Sequence, residues 1–499
     1  MSITLGLPKS LLPTPSTAMS SGSMSQLVRV QPNNIASVSS SPQVLPITAN
    51  TGNNSLSFPS QLVSFSIPSG QGKHVWIDSA KSTVSFRVNF QVSTAGAGMA
   101  DCRANLQGGA TSFFNRIVHI GPNGQTIDDV VNLHVSEHIN QLLNLNVPDR
   151  DCFAPMYGFA SEAGTANSVN TVQGHPIDSL AGNTANSAGN CFYSYEFPLP
   201  SALLGKYAKS MFPCGSVSKL DVQLYTNSFI PISYSNTTLG TTGPTLTVTI
   251  DNISLNLWMI TLDTESMRLL GAPRIHSIHG ITQRTATSTL AAGSSGYMNT
   301  LIGLRGKSCR NLFTRIVDQG SVGLGALTNG ACAAALNGWA DSKALLCSQL
   351  NYLIAGKDRY PQFPHNTQNL PASVFSRTLM ASEMYDLWKQ HSSLMPLQFF
   401  KYATVGTAPT AAGGYDQRIV SAGSLTTTLD LATFVFGEDL RKAHSSEVLD
   451  GIDLTVTANH FLETNILVAP TNSQSIYFTG FFDIIFECDM ESGTISYRM

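Results

Sequence analysis

Alternation of apolar and polar positions dominates this chain. Leu62-Val63-Ser64-Phe65-Ser66-Ile67 begins it and Val75-Trp76-Ile77 continues it. In Val84–Val92, residues Val84, Phe86, Val88, Phe90 and Val92 share one face, and Ser85, Arg87, Asn89 and Gln91 share the other. A period of two is the signature of a half-buried strand. Further strands are expected at Cys191–Phe197, Val217–Tyr225, Leu246–Leu262, Gly296–Leu304, Asn311–Val317, Thr426–Phe436, Gly451–Thr457 and Ile476–Cys488. Helical spacing occurs twice: Val135, Ile139, Leu142 and Leu143 form a stripe, and Met380, Met384, Leu387 and Trp388 repeat it.

The two stripes belong to a plan that occurs twice. Phe113–Asp129 is a hydrophobic run, a Gly121-Pro122-Asn123-Gly124 turn and a second short run, and the first helix follows. Gln349–Pro364 does the same through Ala355-Gly356-Lys357-Asp358, ahead of a helix near Ser382–Gln390. Each half closes on a long apolar strand, Ile253–Leu262 and Ile476–Phe486. The charged, turn-prone Thr261–Pro273 is the best boundary. The expected division is an extended arm at 1–55, one domain at 56–262, a linker at 263–275 and a second domain at 276–499. Irregular inserts are expected at Ala160–Asn190, Asp318–Asn337 and Ala403–Ser424. Short strands with long polar connections at one end suit a jelly roll. The expected fold is therefore all-β: two consecutive eight-stranded jelly-roll β-sandwiches, each with a short helical excursion.

Composition narrows the function. Charged residues make up 12% of the 499, against about 25% in a typical domain. Such a surface resists association weakly and suits a large assembly. The net charge is −3, which supplies no basic field for nucleic acid. Lys9 and Arg29 are the only charges in residues 1–60, so the Pro/Ser/Asn-rich start reads as an arm and not as a nucleic-acid ligand. The eight cysteines include no Cys-x-x-Cys pair, which points to reduced structural thiols and folding in the cytosol or nucleus. Pro8, Lys9, Pro13 and Pro15 interrupt any signal-peptide core. No run approaches the roughly 18 apolar residues of a membrane helix. Glycosylation patterns at Asn53, Asn236 and Asn252 are expected by chance in so Ser/Thr/Asn-rich a chain.

Candidate chemistry is sparse. His134-Val135-Ser136-Glu137-His138 matches the inverted zinc-peptidase pattern, with two histidines on one helix face. It lacks an evident third ligand, since Glu162 and Glu196 fall in a loop and a strand. The plainer expectation is a surface helix with His134, Glu137 and His138 in solvent. Gly303-Leu304-Arg305-Gly306-Lys307-Ser308 resembles part of a P-loop, but Leu stands at 301 where Gly is required and no helix follows. There is no Gly-x-Ser-x-Gly elbow. Trp76, Trp258 and Trp388 read as core, and Trp339 stays undetermined. No residue is put forward as catalytic, cofactor-binding or metal-ligating, and no cofactor is expected.

With these features in place, the chain resembles the double jelly-roll major capsid proteins of double-stranded DNA viruses, of the polinton-like virus and virophage type. Phe113–Leu145 carries the likeness first, as strand, turn, strand and helix. Phe192–Leu204 with Met211-Phe212-Pro213 is similar to that family's amphipathic strand running into a Pro-Leu turn. Arg359-Tyr360-Pro361-Gln362 stands before the second helix, and Phe436-Gly437-Glu438-Asp439-Leu440, Gly451-Ile452-Asp453 and the closing strand complete it. The likeness covers residues 56–499 and rests on order and spacing. The arm and the three inserts have no counterpart.

The resemblance implies a coat protein with no enzymatic activity. Three copies would form a pseudo-hexameric homotrimeric capsomer that tiles an icosahedral shell, alongside neighbouring capsomers and penton and minor capsid proteins. No sequence-specific nucleic-acid binding is implied. The chain would be made in the host cytoplasm and reside in the virion, with the inserts at the outer end and the arm either along the inner shell face or tying neighbouring capsomers together. Its main alternative is a carbohydrate-binding or adhesion β-sandwich protein, favoured by the Ser/Thr/Asn-rich loops and separable by glycan binding. A glycosidase or metallopeptidase rests on the His134–His138 match alone. A single-stranded RNA virus coat protein would carry a basic arm or a single roll.

Overall fold

The computed structural model describes residues 38–45, 55–57, 61–67, 72–94, 102–104, 109–144, 175–176, 189–234, 245–264, 267, 274–318, 330–331, 347–358, 435–441, 451–456, 459–470 and 472–499. The first half contains β1 (Val38–Leu45), β2 (Ser55–Ser57), β3 (Leu62–Ser66), β4 (Val75–Ile77), β5 (Thr83–Thr94), β6 (Cys102–Ala104), β7 (Phe114–Ile120) and β8 (Thr126–Val131). Helix α1 (Leu133–Asn144) follows, then β9 (His175–Pro176), β10 (Gly189–Pro198), β11 (Asp221–Thr226), β12 (Ile232–Tyr234) and β13 (Thr245–Leu262). In the second half lie β14 (Ile275–Leu290), β15 (Gly296–Leu301), β16 (Cys309–Asp318), β17 (Gly330–Ala331), β18 (Cys347–Ile354) and β19 (Lys357–Asp358). It ends with β20 (Val435–Asp439), β21 (Phe461–Ile466), β22 (Gln474–Asp489) and β23 (Ile495–Arg498).

Both halves are wound the same way. One sheet of the first half runs β1-β13-β5-β10, and the other runs β3-β11-β7-β8. The second half has β14-β22-β16-β20 and β15-β21-β18-β19. Each half therefore uses its principal strands in the order first–eighth–third–sixth in one sheet and second–seventh–fourth–fifth in the other. That winding is the jelly roll, and it is present twice. Val38–Leu45 lies within the span expected as an arm, and it is hydrogen-bonded along β13 from Val38↔Leu262 to Leu45↔Leu255.

Local sequence explains the main turns. At the β18–β19 hairpin, Ala355 and Gly356 both take positive φ, 54° and 73°, the geometry whose twist matches a two-residue hairpin. The β7–β8 turn is closed by Gly121 N–H donating to Gln125 O at 2.8 Å. A small third sheet, β12-β6-β9, joins three connections of the first roll at one end. These are the links between its third and fourth, fifth and sixth, and seventh and eighth strands. At the same end of β13, Thr245 pairs with Ala331 of the second roll's β17.

Among the described residues two large apolar cores form beside a small third cluster of Trp76, Ile260, Leu262 and Met490, and each large core borrows from the other roll. Phe86 packs edge-on against Phe113, Phe114 and Phe197 in the first, with centroids 5.7, 5.3 and 6.1 Å away. That core also takes in Ile278, Ile484, Phe486, Cys488 and Ile495 from the second half. In the second core, Tyr352 stacks on Phe436 at 4.6 Å and shares a 2.7 Å hydrogen bond with Thr314. Val135 and Ile139 of α1 belong to this second core although they come from the first half.

Several expectations change on contact with the fold. The longest partner of β22 is β14, paired over its whole length from Ile275↔Asp489 to Leu290↔Gln474, and its strand character is not evident in the sequence. Gly451–Thr457 is not a strand where described: Ile452 bridges Cys309, and Leu454 N–H donates to Gly306 O at 2.8 Å. Trp76 is buried as expected, whereas Trp258 is half-buried with the Lys81 ammonium 4.7 Å from its ring centroid. The second helix, the inserts at 160–174, 177–188, 319–329, 332–337 and 403–424, and Trp339 and Trp388 lie outside the described residues.

Because Phe486 sits in a strand of the second roll but in the core of the first, Phe486→Ala is expected to cost about 3–5 kcal/mol. Hydrogen exchange along Thr83–Thr94 should report the loss, although that strand lies in the other roll.

Candidate functional site at the seam between the rolls

Helix α1 has no solvent face over Leu133–Asn140. His134, Ser136, Glu137, His138 and Asn140 are buried along with Val135 and Ile139. This corrects the expectation of a surface helix with His134, Glu137 and His138 in water. One apolar stripe explains only one covered side; the other is covered by β14 and by the connection 199–216, which the stripe does not reveal.

Glu137 is fully buried, and its carboxylate is met by three donors. Lys206 Nζ donates to Oε2 at 2.6 Å, Tyr207 Oη to Oε1 at 2.7 Å, and Gln283 Nε2 to Oε1 at 2.8 Å. Lys206 and Tyr207 come from the connection 199–216, and Gln283 comes from β14 of the second roll. Burial, and next the Glu137 carboxylate, hold the Tyr207 hydroxyl well above its ordinary range, so it stays a donor. The carboxylate of the peptidase-like motif is thus engaged in joining the two rolls, and among the described residues no third ligand of the kind zinc chemistry needs is grouped with it.

A second layer lies beside it. Buried Asp128 accepts from Thr282 Oγ1 at 2.8 Å and from Arg284 Nη2 at 3.2 Å, both on β14. Arg284 Nη1 also donates to the Asp129 carbonyl. Asp129 itself is held by Arg116 in a two-pronged ion pair at 2.7 and 2.6 Å. Two bonds to one carboxylate fix orientation as well as charge.

The connection 199–216 is organised by Ser201. Its Oγ accepts from the Leu203 and Leu204 N–H groups at 3.1 and 3.0 Å. The hydroxyl hydrogen is then left for His119 Nε2, 2.9 Å away, which places the ring hydrogen on Nδ1. From there the connection forms a short ladder on the free edge of β14: Lys209 N–H donates to His279 O at 2.8 Å and Ile281 N–H to Tyr207 O at 3.3 Å. At the centre stands Gly280, where a Cβ would lie 2.4 Å from the Ala202 carbonyl oxygen. Only glycine permits that approach.

The far end of the second roll closes the seam. Gln125 Nε2 donates to Ile495 O at 2.6 Å, and Ser218 N–H donates to Gly493 O at 3.1 Å. The nucleophile candidates elsewhere are spent structurally. Burial pushes the Cys214, Cys347 and Cys488 thiols up to about 12. The P-loop-like stretch is an irregular connection in which Ser308 Oγ donates to Asp483 Oδ2 at 2.8 Å and accepts from Gly451 N–H at 3.1 Å.

Lys206, Tyr207, Asp128, Gln283 and Arg284 were not singled out from sequence. The available signal was polar residues inside otherwise alternating strands, Asp128-Asp129 and Gln283-Arg284, which is weak without the partner roll. Replacing Glu137 by Gln is expected to cost about 3 kcal/mol, low in the range for breaking a buried pair because the Lys206 side chain keeps 27% exposure. Adding Lys206→Met should recover part of that in chemical denaturation. Gly280→Ala is expected to cost about 1–3 kcal/mol by overpacking, with the Glu137 network lost alongside it.

No family model and no curated protein sequence matches the chain. Solved structures do. The crystal structure of the mavirus major capsid protein superposes with a TM-score of 0.52 at 10% identity, covering 100% of this chain and 96% of that one. The crystal structure of PBCV-1 VP54 fitted into a reconstruction of the virophage Sputnik gives 0.51 at 12%, covering 93% and 97%. The Sputnik virophage structure from cryo-electron microscopy gives 0.50 at 13%, covering 94% and 89%. Identity this low speaks to fold, and the strand order found twice here agrees with it. The chain is a double jelly roll, the fold it shares with the mavirus major capsid protein.

Proposed function

We propose that this chain is a major capsid protein that assembles as a homotrimer, giving six-cornered capsomers that tile an icosahedral shell. The observation that carries the proposal is the asymmetry of the seam. The first roll contributes its β8–α1 side and its 199–216 connection, and the second contributes the free edge of β14. A contact between unlike faces of two like units propagates to further copies, and it closes into a ring when the rotation allows. The equivalent of β14 in the first roll is β1, whose outer edge carries no strand among the described residues. The equivalent of β8 in the second roll is β19. Three chains joined β19 side to β1 edge would place six rolls in one ring.

Other features support the same reading. The three linked connections β12-β6-β9 and the β17 contact gather at one end of the molecule. The near-neutral start of the chain, with only Lys9 and Arg29 before β1, suits a tether to neighbouring capsomers better than a grip on nucleic acid. Partners of this capsomer would be further capsomers and the penton and minor proteins that complete a shell.

Light scattering of the purified chain should give a mass near three times 53.3 kDa, with a six-cornered outline in negative stain. Deleting residues 2–37, which spares β1, should leave that species intact and impair shell formation. A stable monomer at micromolar concentration would defeat the capsomer reading, and glycan binding by that monomer would favour the adhesion alternative.

A further inference from the structure

We propose that the seam is an acid-sensitive joint, in which four imidazoles at or beside the contact between the rolls, three buried and one half-buried, loosen it when they take up protons. His119 of β7 is buried on Ser201, its Nδ1 has no partner among the described residues, and it faces Asp128 and Asp129 of β8. His134 of α1 lies against Phe229, with ring centroids 5.3 Å apart, and faces fully buried Arg315 of β16. His276 of β14 is edge-on to Trp76 at 4.9 Å and 3.3 Å from the Met211 carbonyl. His279 of the same strand sits beside Lys209 of the first roll and Asp483 of β22. Three of the four thus meet a group from the opposite roll, and two of those face a fixed cation.

Direction follows from these surroundings. Burial is the largest effect at each and favours the neutral ring; Arg315 and Lys209 act the same way on His134 and His279. Asp128, Asp129 and Asp483 and the Met211 carbonyl oppose it without overcoming it. His134 is brought down to about 3. A ring held neutral in the fold but protonated in the open chain stabilises the fold fully above about pH 6.5. That contribution is lost as the pH falls from 6.5 toward the folded value, at about tenfold in the folded-to-open ratio per pH unit for each such ring. Several such rings at one contact concentrate the loss there.

Hydrogen exchange of the intact protein at pH 7.5, 5.5 and 5.0, corrected for the intrinsic pH dependence of exchange, tests this directly. Protection along Leu133–Asn144 and Ile275–Arg284 should fall at least tenfold by pH 5.0, while β21 and the outer part of β5 keep theirs. His279→Gln, at a half-buried position, should move the midpoint of the seam transition to lower pH. Uniform loss across all strands, a midpoint below pH 4, or a midpoint unmoved by His279→Gln would each overturn the proposal.

Discussion

Everything in this molecule hangs on the exchange of apolar side chains between the two rolls. Val135 and Ile139 leave the first roll to complete the second core. Ile278, Ile484, Phe486, Cys488 and Ile495 leave the second to complete the first. Each large side chain buried this way contributes about 1.5–3 kcal/mol, so neither roll has a finished interior alone. The border between the halves in sequence is not the border between the cores in space.

Apolar exchange supplies affinity but not register, because hydrophobic contact is without direction. The polar layer supplies the register. Glu137, met by three donors, and Asp128, met by two side chains of β14, can be satisfied in one alignment of β14 only. A slip of one residue along β14 would exchange its inward and outward faces and leave buried charges without partners, which is far costlier than losing a surface pair. Gly280 adds a steric key at the same place. The arrangement is wet chemistry made dry: acids, amides and a lysine used as alignment pins.

How much of this was legible beforehand depends on what each strand packs against. Val84–Val92 alternates cleanly because β5 lies on its own roll's core, and the duplicated hairpin turn, at Gly121–Gln125 and again at Ala355-Gly356, exposed the second roll by comparison with the first. β14 was invisible for the opposite reason. Its buried positions include His276, Gly280 and Thr282 on one face and Gln283 on the other, residues that meet polar groups of the other roll, and no period of apolar residues survives there. Helix α1 showed one apolar stripe and was read as half-exposed, since a sequence records which residues are polar but not whether a partner has been built to receive them. Val38–Leu45 failed to announce itself because Ser39-Ser40-Ser41-Pro42 offers little alternation, and edge strands tolerate such composition.

The reach of β22 and β23 into the first core has a consequence for how the chain is made. Residues 484–495 follow the last strand of the first roll, which ends at Leu262, by more than two hundred positions. At about 5–20 residues per second, the ribosome would hold the first roll with an open interior for tens of seconds. That roll cannot reach its native state as it emerges; it must wait, partly formed, for a segment synthesised more than two hundred residues later. Chains cut short before that segment would then never present a finished first half.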